Sequence, residues 1–167
     1  MIRPLIHAAI VVAGLASLPN LVQGQTAAAT FERLKSLVGE WETVAPGGER
    51  IRVEYQLVSG GTAVLERVVG PAEHGPAGML SIYYLDGSRV GMSHFCSAAN
   101  RPRFGSTSAG DTVRFALVAG SLADSMAGHI HQVEFRFGGG RLETEWVWYQ
   151  QGRREHVLVR RQVRVRS

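Results

Sequence analysis

The sequence predicts an all-β protein, a single antiparallel up-and-down β-barrel of about eight to ten strands with a short N-terminal helix. Most of the chain after residue 39 alternates apolar and polar residues, which is the period of a β-strand. Turn signals such as Asp86-Gly87 join these stretches as sequential hairpins. A hydrophobic content of 45% over 167 residues is sufficient for one core, and the single cysteine excludes an intrachain disulfide.

The first 24 residues are predicted to be a signal peptide rather than part of this fold. Arg3 supplies a positive start, residues 8–18 form an apolar run, and Gly24 ends a segment that signal peptidase can cleave. The run is too short for a comfortable membrane span. We therefore expect a periplasmic or secreted protein without stable membrane insertion, whose barrel domain comprises residues 25–167.

The individual elements follow from periodicity and turn chemistry. Thr30 is predicted to cap a helix over residues 31–38, which Gly39 ends. Strands are predicted over residues 41–44, 51–57, 62–69, 79–85, 89–97, 112–118, 129–137, 141–149 and 155–165. Residues 98–105 are predicted to be irregular or a short strand. A barrel of this size has room inside for side chains or for one small ligand.

Alternation places metal-competent side chains on the apolar faces of two strands. His94 and Cys96 share a face with Met92, and His129 and His131 share a face with apolar residues of a later strand. We therefore expect all four side chains to point into the barrel. One thiolate and three imidazoles suit zinc or copper, so a metal site is one hypothesis. The other is that these groups hydrogen-bond within an ordinary core.

An apolar inner face with a few polar groups is typical of a ligand pocket. The residues expected to line it, or simply to pack as core, are Met92, Phe115, Phe135, Trp146 and Trp148. Asn100, Arg101 and Arg103 lie on the irregular segment near a barrel mouth and are candidates for binding an anionic head group. The alternative for Arg103 is an ion pair with Glu66 or another barrel carboxylate.

The formal net charge is +4, and much of the basic excess lies near the C-terminus. The arginines concerned are Arg153, Arg154, Arg160, Arg161, Arg164 and Arg166. Because no aromatic residues alternate with them, a nucleic-acid partner is not expected. We interpret the segment as a solvated edge strand whose charges prevent edge pairing.

The segment that ends in Gly39-Glu40-Trp41 resembles the start of calycin-type barrels, in which a short helix precedes a Gly-x-Trp motif. In lipocalins that tryptophan packs against an arginine late in the last strand, and the resemblance assigns this part to Arg160 or Arg161. Nitrobindin-like haem barrels share the Gly-x-Trp motif. Residues 42–45 depart from their pattern, however, and no residue matches their haem-ligating histidine.

Further motifs resemble a family of exported bacterial lipocalin-like proteins of unassigned activity, over residues 31–165. They are Met79-Leu80-Ser81-Ile82-Tyr83-Tyr84-Leu85-Asp86-Gly87, His94-Phe95-Cys96, Asn100-Arg101-Pro102-Arg103, Gly128-His129-Ile130-His131 and Glu145-Trp146-Val147-Trp148-Tyr149. Phe95 stands where that family usually has tyrosine. The resemblance implies a fold and a compartment but no chemistry.

The sequence is therefore interpreted as an exported, monomeric barrel that binds a small apolar or amphipathic molecule without catalysis. Binding of zinc, copper or haem through the inward His and Cys side chains is the alternative, and no cofactor is required. An enzyme with a His/Cys site in the lumen is a further alternative. Two strand residues two apart, such as His94 and Cys96, lie roughly 6–7 Å from each other, which is too far for direct proton transfer.

Overall fold

The computed structural model describes residues 25–45, 47–69 and 78–165 and confirms the predicted barrel. Its elements are the helix α1 (Ala27–Lys35) and the strands β1 (Gly39–Val44), β2 (Arg50–Val58), β3 (Ala63–Val69), β4 (Met79–Asp86), β5 (Arg89–Phe95), β6 (Arg103–Ala109), β7 (Thr112–Leu117), β8 (His129–Gly138), β9 (Arg141–Gln150) and β10 (Arg153–Arg164). Neighbouring strands are antiparallel, and β1 pairs with both β2 and β10, so the sheet closes. The predicted signal peptide lies outside the described residues.

Helix α1 begins earlier than the sequence predicts. Thr26 is the N-cap, and its side chain accepts a hydrogen bond from the backbone N–H of Ala29. The helix starts this early because three consecutive alanines, residues 27–29, favour helix. Thr30, the predicted cap, is instead buried, with its hydroxyl 2.7 Å from that of Ser108. No helix in the described part of the chain has the length and apolar character that a membrane crossing needs.

The two ends of the barrel differ. At one end α1 packs near the β6–β7 turn, where Arg33 bonds Gly110 and Asp111. We call this the helix end. At the opposite end lie the β5–β6, β7–β8 and β9–β10 connections, and we call it the open end.

The first strand is anchored to the last one through a tryptophan and an arginine. Trp41 pairs with Arg164 across the β1–β10 seam, and the guanidinium carbon lies 4.7 Å from the centroid of the indole ring. The stacking partner is therefore Arg164, and the assignment to Arg160 or Arg161 is wrong. Gly39 has a φ of 128°, and a Cβ there would lie 2.7 Å from Arg164 Nη1, which explains the glycine of the Gly-x-Trp motif.

Two sequence interpretations of strands need correction. Residues 103–109 form the full strand β6, which the sequence leaves ambiguous because Gly105, Ser106, Thr107 and Ser108 give no apolar alternation. The arginine-rich strand β10 is not a solvated edge, because it pairs with β9 on one side and with β1 on the other. Its position inside the closed sheet allows one of its arginines to be buried.

Part of the barrel interior is solidly packed. Tyr83, Phe115 and Phe135 have ring centroids 5.5 to 5.8 Å apart, and none of the three side chains is exposed. Met92 is likewise fully buried in this cluster. Of the residues expected to line a pocket, Met92, Phe115 and Phe135 are therefore core residues.

Candidate functional site

A cavity of about 200 Å³ lies at the open end of the barrel. We call it the interior cavity. Apolar and aromatic side chains make most of its wall, and a few polar groups interrupt them. Its lining residues are Met79, His94, Cys96, Ser97, Ile130, Trp146, Trp148, His156, Leu158 and Arg160. Two of the tryptophans expected at a pocket, Trp146 and Trp148, are thus brought to one wall.

The register of β9 and β10 orders this wall from the mouth inward. Trp148 pairs with His156, Trp146 with Leu158, and Thr144 with Arg160, so each step moves deeper towards the helix end. Trp148 and His156 stack near the mouth, with centroids 5.8 Å apart and an 18° interplanar angle. A Cβ at Gly128 would overlap the Trp148 ring, so this position requires glycine to keep Trp148 in place.

Trp146 contacts both polar residues at the inner part of the cavity. Its ring centroid is 5.2 Å from that of His94, and the guanidinium carbon of Arg160 is also 5.2 Å from it. The indole N–H donates a hydrogen bond to Thr144 Oγ1 at 3.1 Å. This bond holds the ring in place beside the imidazole of His94 and the guanidinium group of Arg160.

His94 is a buried, neutral histidine with one free ring nitrogen. Its Nδ1 lies 3.0 Å from the hydroxyl oxygen of Ser81 on the neighbouring strand β4. Its Nε2 is buried and has no hydrogen-bond partner in the described ranges. Burial, helped by the positive charge of Arg160, lowers the pKa of His94 to about 4. The imidazole is therefore uncharged at neutral pH.

Arg160 is the most unusual residue of the site, since its guanidinium group is 97% removed from solvent at a relative exposure of 3%. Its Nη1 lies 3.9 Å from Oε1 of the fully buried Glu66, and the Tyr83 hydroxyl donates to the other carboxylate oxygen. Both Nε and Nη1 of Arg160 lack a hydrogen-bond partner among the residues described. We call Arg160 Nε, Arg160 Nη1 and His94 Nε2 the unsatisfied nitrogens.

The buried Arg160–Glu66 pair does not compensate its own burial. Loss of water raises the pKa of Glu66, and the opposing effects of Arg160 and Tyr83 are smaller. Burial likewise lowers the pKa of Arg160 from its ordinary value, and the attraction of Glu66 opposes this only in part. Both shifts favour the uncharged forms, so the separation of 3.9 Å is too long to offset desolvation.

His129 and His131 do not reach the cavity, and the prediction that they point inward is wrong. The β8–β9 register shifts between Ile130 and Gln132, which is a β-bulge that breaks strict alternation. Ile130 lines the cavity, whereas His131 stacks on Tyr149 with centroids 4.0 Å apart on the opposite face of the sheet. The nitrogens His129 Nε2 and His131 Nδ1 are 3.3 Å apart on that face.

The four residues of the metal hypothesis are consequently divided between two faces. His94 and Cys96 line the cavity, while His129 and His131 lie outside the barrel wall. Within residues 25–45, 47–69 and 78–165, no group of three or more His, Cys, Asp or Glu side chains is placed to hold a metal ion.

The polar segment after β5 has a different place from the one expected. Asn100 is absent from the cavity lining as far as the described residues go, and its amide N–H donates to Gly128 O at 2.7 Å. It thereby ties the β5–β6 loop to the β7–β8 loop at the open end. Arg103 pairs with Ser93 on the outer face and is exposed, and the interior partner of Glu66 is Arg160.

Sequence reasoning does not identify Arg160 as a site residue, although one signal was available. Valines occupy the exposed face of β10, so a hydrophobicity pattern assigns the wrong side of this strand to the core. The signal is the Gln151-Gly152 turn. Counting forward from it places Leu158 and Arg160 on the tryptophan face only when the bulge between Arg154 and His156 is included, and that bulge is seen in the strand pairing and not in the sequence.

Comparison with known proteins adds no relative: no family model, no curated protein and no solved structure matches this chain.

Proposed function

We propose that this chain is an exported β-barrel protein that binds a small, mostly apolar molecule in the interior cavity without catalysing a reaction. The observation that carries the proposal is the interior cavity itself. Its wall combines two indole rings with aliphatic side chains such as Ile130 and Leu158, next to a solidly packed core. Such a concave, mostly apolar site with a few placed polar groups is typical of ligand-binding pockets.

The size of the cavity limits the ligand. A closed apolar cavity of about 150 Å³ is large enough for one benzene molecule. The volume of about 200 Å³ therefore suits a single ring system with a short substituent. A haem group is far larger than this, so the cavity does not fit the haem alternative. The metal alternative loses support because its histidines lie on two faces of the sheet.

Export and membership of the lipocalin-like family are part of the same proposal. Export is supported by the charged and apolar segment before Gln25, and the family by the motifs around Trp41, His94 and Asn100. Packing of Trp41 under Arg164 supports the likeness to lipocalin-type barrels. N-terminal sequencing of protein from the periplasm or medium tests export, with Gln25 as the expected first residue. Retention of Met1 in the cytoplasm would contradict it.

Binding is tested with indole, a neutral single ring system, by calorimetric titration of the wild-type protein and two matched variants. Leu158→Trp fills the cavity, whereas Val159→Trp places the same side chain on the outer face of the same strand. We expect saturable one-to-one binding to the wild type and to Val159→Trp. Leu158→Trp should weaken binding by at least about tenfold, or 1.4 kcal/mol.

The proposed function is contradicted if neither indole nor other neutral single-ring compounds bind saturably. Equal binding by both tryptophan variants would also contradict it, because the ligand would then lie outside the interior cavity. Circular dichroism of each variant establishes that the barrel is intact.

A further inference from the structure

The unsatisfied nitrogens belong to two residues that line the same interior cavity. Arg160 and His94 both line the cavity, both contact Trp146, and both are at least 97% buried at relative exposures of 3% and 2%. A buried hydrogen-bonding group without a partner destabilises the folded protein, and more so when it is charged. Three such atoms on two residues that line one cavity are donors that a bound ligand could satisfy.

A negatively charged component would satisfy the unsatisfied nitrogens best. The guanidinium of Arg160 remains protonated, and it is the cationic group in the described cavity wall. Glu66 does not neutralise it efficiently, since the two groups are 3.9 Å apart and the Tyr83 hydroxyl occupies the other carboxylate oxygen. An acceptor that comes within hydrogen-bond distance of Arg160 would gain a charge-assisted bond to a guanidinium group that is itself buried.

We propose that the ligand of the interior cavity is a small aromatic monocarboxylate whose carboxylate accepts hydrogen bonds from Arg160 and His94. This inference rests on the proposed function and deepens it. Under this proposal, His94 adopts the tautomer in which Nδ1 accepts from the Ser81 hydroxyl, 3.0 Å away, and Nε2 carries the proton and donates it to the ligand. The ring of the ligand lies towards the mouth, against Trp148 and Ile130.

Size and charge distinguish this class from other anions. Arg160 already faces the Glu66 carboxyl group at 3.9 Å, so a ligand with one negative charge is easier to accommodate than a phosphate monoester, which would bring nearly two charges into an apolar wall. A long-chain fatty acid exceeds a volume of about 200 Å³, which instead fits one ring joined to a short acidic chain. The two indole rings on the β9 wall favour an aromatic ring over a branched aliphatic one, because aromatic rings that pack together gain stabilisation beyond their burial.

The experiment compares phenylpropionate with its neutral isostere phenylpropanamide by calorimetry in the full-length mature protein. The wild type should bind the acid at least about tenfold more tightly than the amide. Arg160→Met, which keeps the length of the side chain but removes its charge, should abolish this preference and retain amide binding. Arg103→Met removes an exposed arginine of the same barrel end and should leave the preference unchanged.

A second variant keeps the test decisive if Arg160→Met does not fold. Arg160→Met combined with Glu66→Gln removes both buried charges at once and so avoids leaving a lone carboxylate. It should bind the amide and show no preference for the acid. The His94 ring, followed by NMR in the wild type, should show a raised pKa when phenylpropionate is bound, because the carboxylate stabilises the imidazolium.

Each outcome separates this inference from the proposed function. Equal affinity for acid and amide in the wild type overturns the carboxylate inference and leaves a neutral-ligand barrel standing. A preference for the acid that survives the loss of Arg160 also overturns it. Failure of acid, amide and indole alike overturns both proposals.

Discussion

Two arginines on the same face of β10 lie over tryptophans, yet only Arg164 donates side-chain hydrogen bonds to the described part of the protein. Arg164 stacks on Trp41 and donates to two backbone carbonyls that follow α1, at 2.6 and 2.7 Å. Arg160, four residues earlier in β10, lies over Trp146 in a similar way. Its Nε and Nη1 have no hydrogen-bond acceptor in the ranges that the structure describes.

The difference shows how one interaction can serve two purposes. Arg164 joins the last strand to the chain around α1, so its donors are used by the protein itself. Arg160 is held in place by the same stacking geometry, but its donors remain available beside a cavity. We infer that the first pair closes the barrel and that the second pair is prepared for a ligand. The following predictions test this distinction, beginning with the largest expected effect.

Replacement of Trp41 should cost far more stability than replacement of a cavity tryptophan. Trp41→Ala removes a ring that is 4% exposed, packed under Arg164 and bonded to Leu37 O, so we expect a loss of about 3–5 kcal/mol. Trp148→Ala should cost about 1–2 kcal/mol, because that ring already borders a void. Denaturant unfolding measures both. Equal losses would show that the two ends of the barrel are packed alike.

Acidification should destabilise the protein through His94. Its pKa is about 4 in the folded protein and 6.5 in the unfolded chain, so the unfolded chain binds more protons between these values. Stability should therefore fall by up to about 3 kcal/mol as the pH drops from 6.5 to 4. Relative to wild type, His94→Gln should lose this dependence.

The matched control for this titration is His156→Gln, which removes an exposed histidine at the mouth and should keep the full fall. Glu66 acts in the opposite sense, because its raised pKa stabilises the folded state increasingly as the pH drops. Wild type and both variants retain Glu66, so its contribution cancels in the differences. Identical pH profiles for wild type and His94→Gln would contradict the burial of a neutral His94.

The two arginines should differ in their effect on stability without ligand. Arg164→Met removes two hydrogen bonds to backbone carbonyls and should cost about 1–2 kcal/mol. Arg160→Met with Glu66→Gln replaces an inefficient buried ion pair and should be neutral or stabilising within about 1 kcal/mol. Thermal and denaturant unfolding measure both changes. A large loss in the double variant would indicate a structural role for Arg160.

The smallest effect is expected on the outer face of β8. His131→Ala removes a ring that stacks on Tyr149 and should cost about 0.5–1 kcal/mol of stability. Because this ring lies outside the barrel wall, the affinity for indole should stay within about twofold of wild type. A larger loss of affinity would place His131 at the ligand after all.

The fold follows from the sequence because most strands have one apolar face and short turns. The β4–β5 hairpin is correctly predicted in both position and face, and His94 points inward as its spacing from Met92 requires. Helix α1 is displaced by four residues at its start, since capping by Thr26 competes with capping by Thr30.

The site is only partly readable from sequence. Alternation fails at His131, where one extra residue in β8 reverses the face of His129. Alternation fails again in β10, where valine side chains are exposed and that of Arg160 is buried, the reverse of what hydrophobicity predicts. A β-bulge depends on how two strands pair, and one chain segment carries no local signal for it. Pairing in the closed barrel, and not local composition, therefore decides which polar groups meet in the cavity.

A crystal structure with para-bromophenylpropionate bound would test most directly whether Arg160 binds the carboxylate of the ligand. Anomalous scattering from bromine locates the ring independently of the protein density. We expect the ring beside Trp148 and the carboxylate about 2.7–2.9 Å from Arg160. A carboxylate that points into solvent, with the nitrogens of Arg160 still lacking an acceptor, would contradict the account.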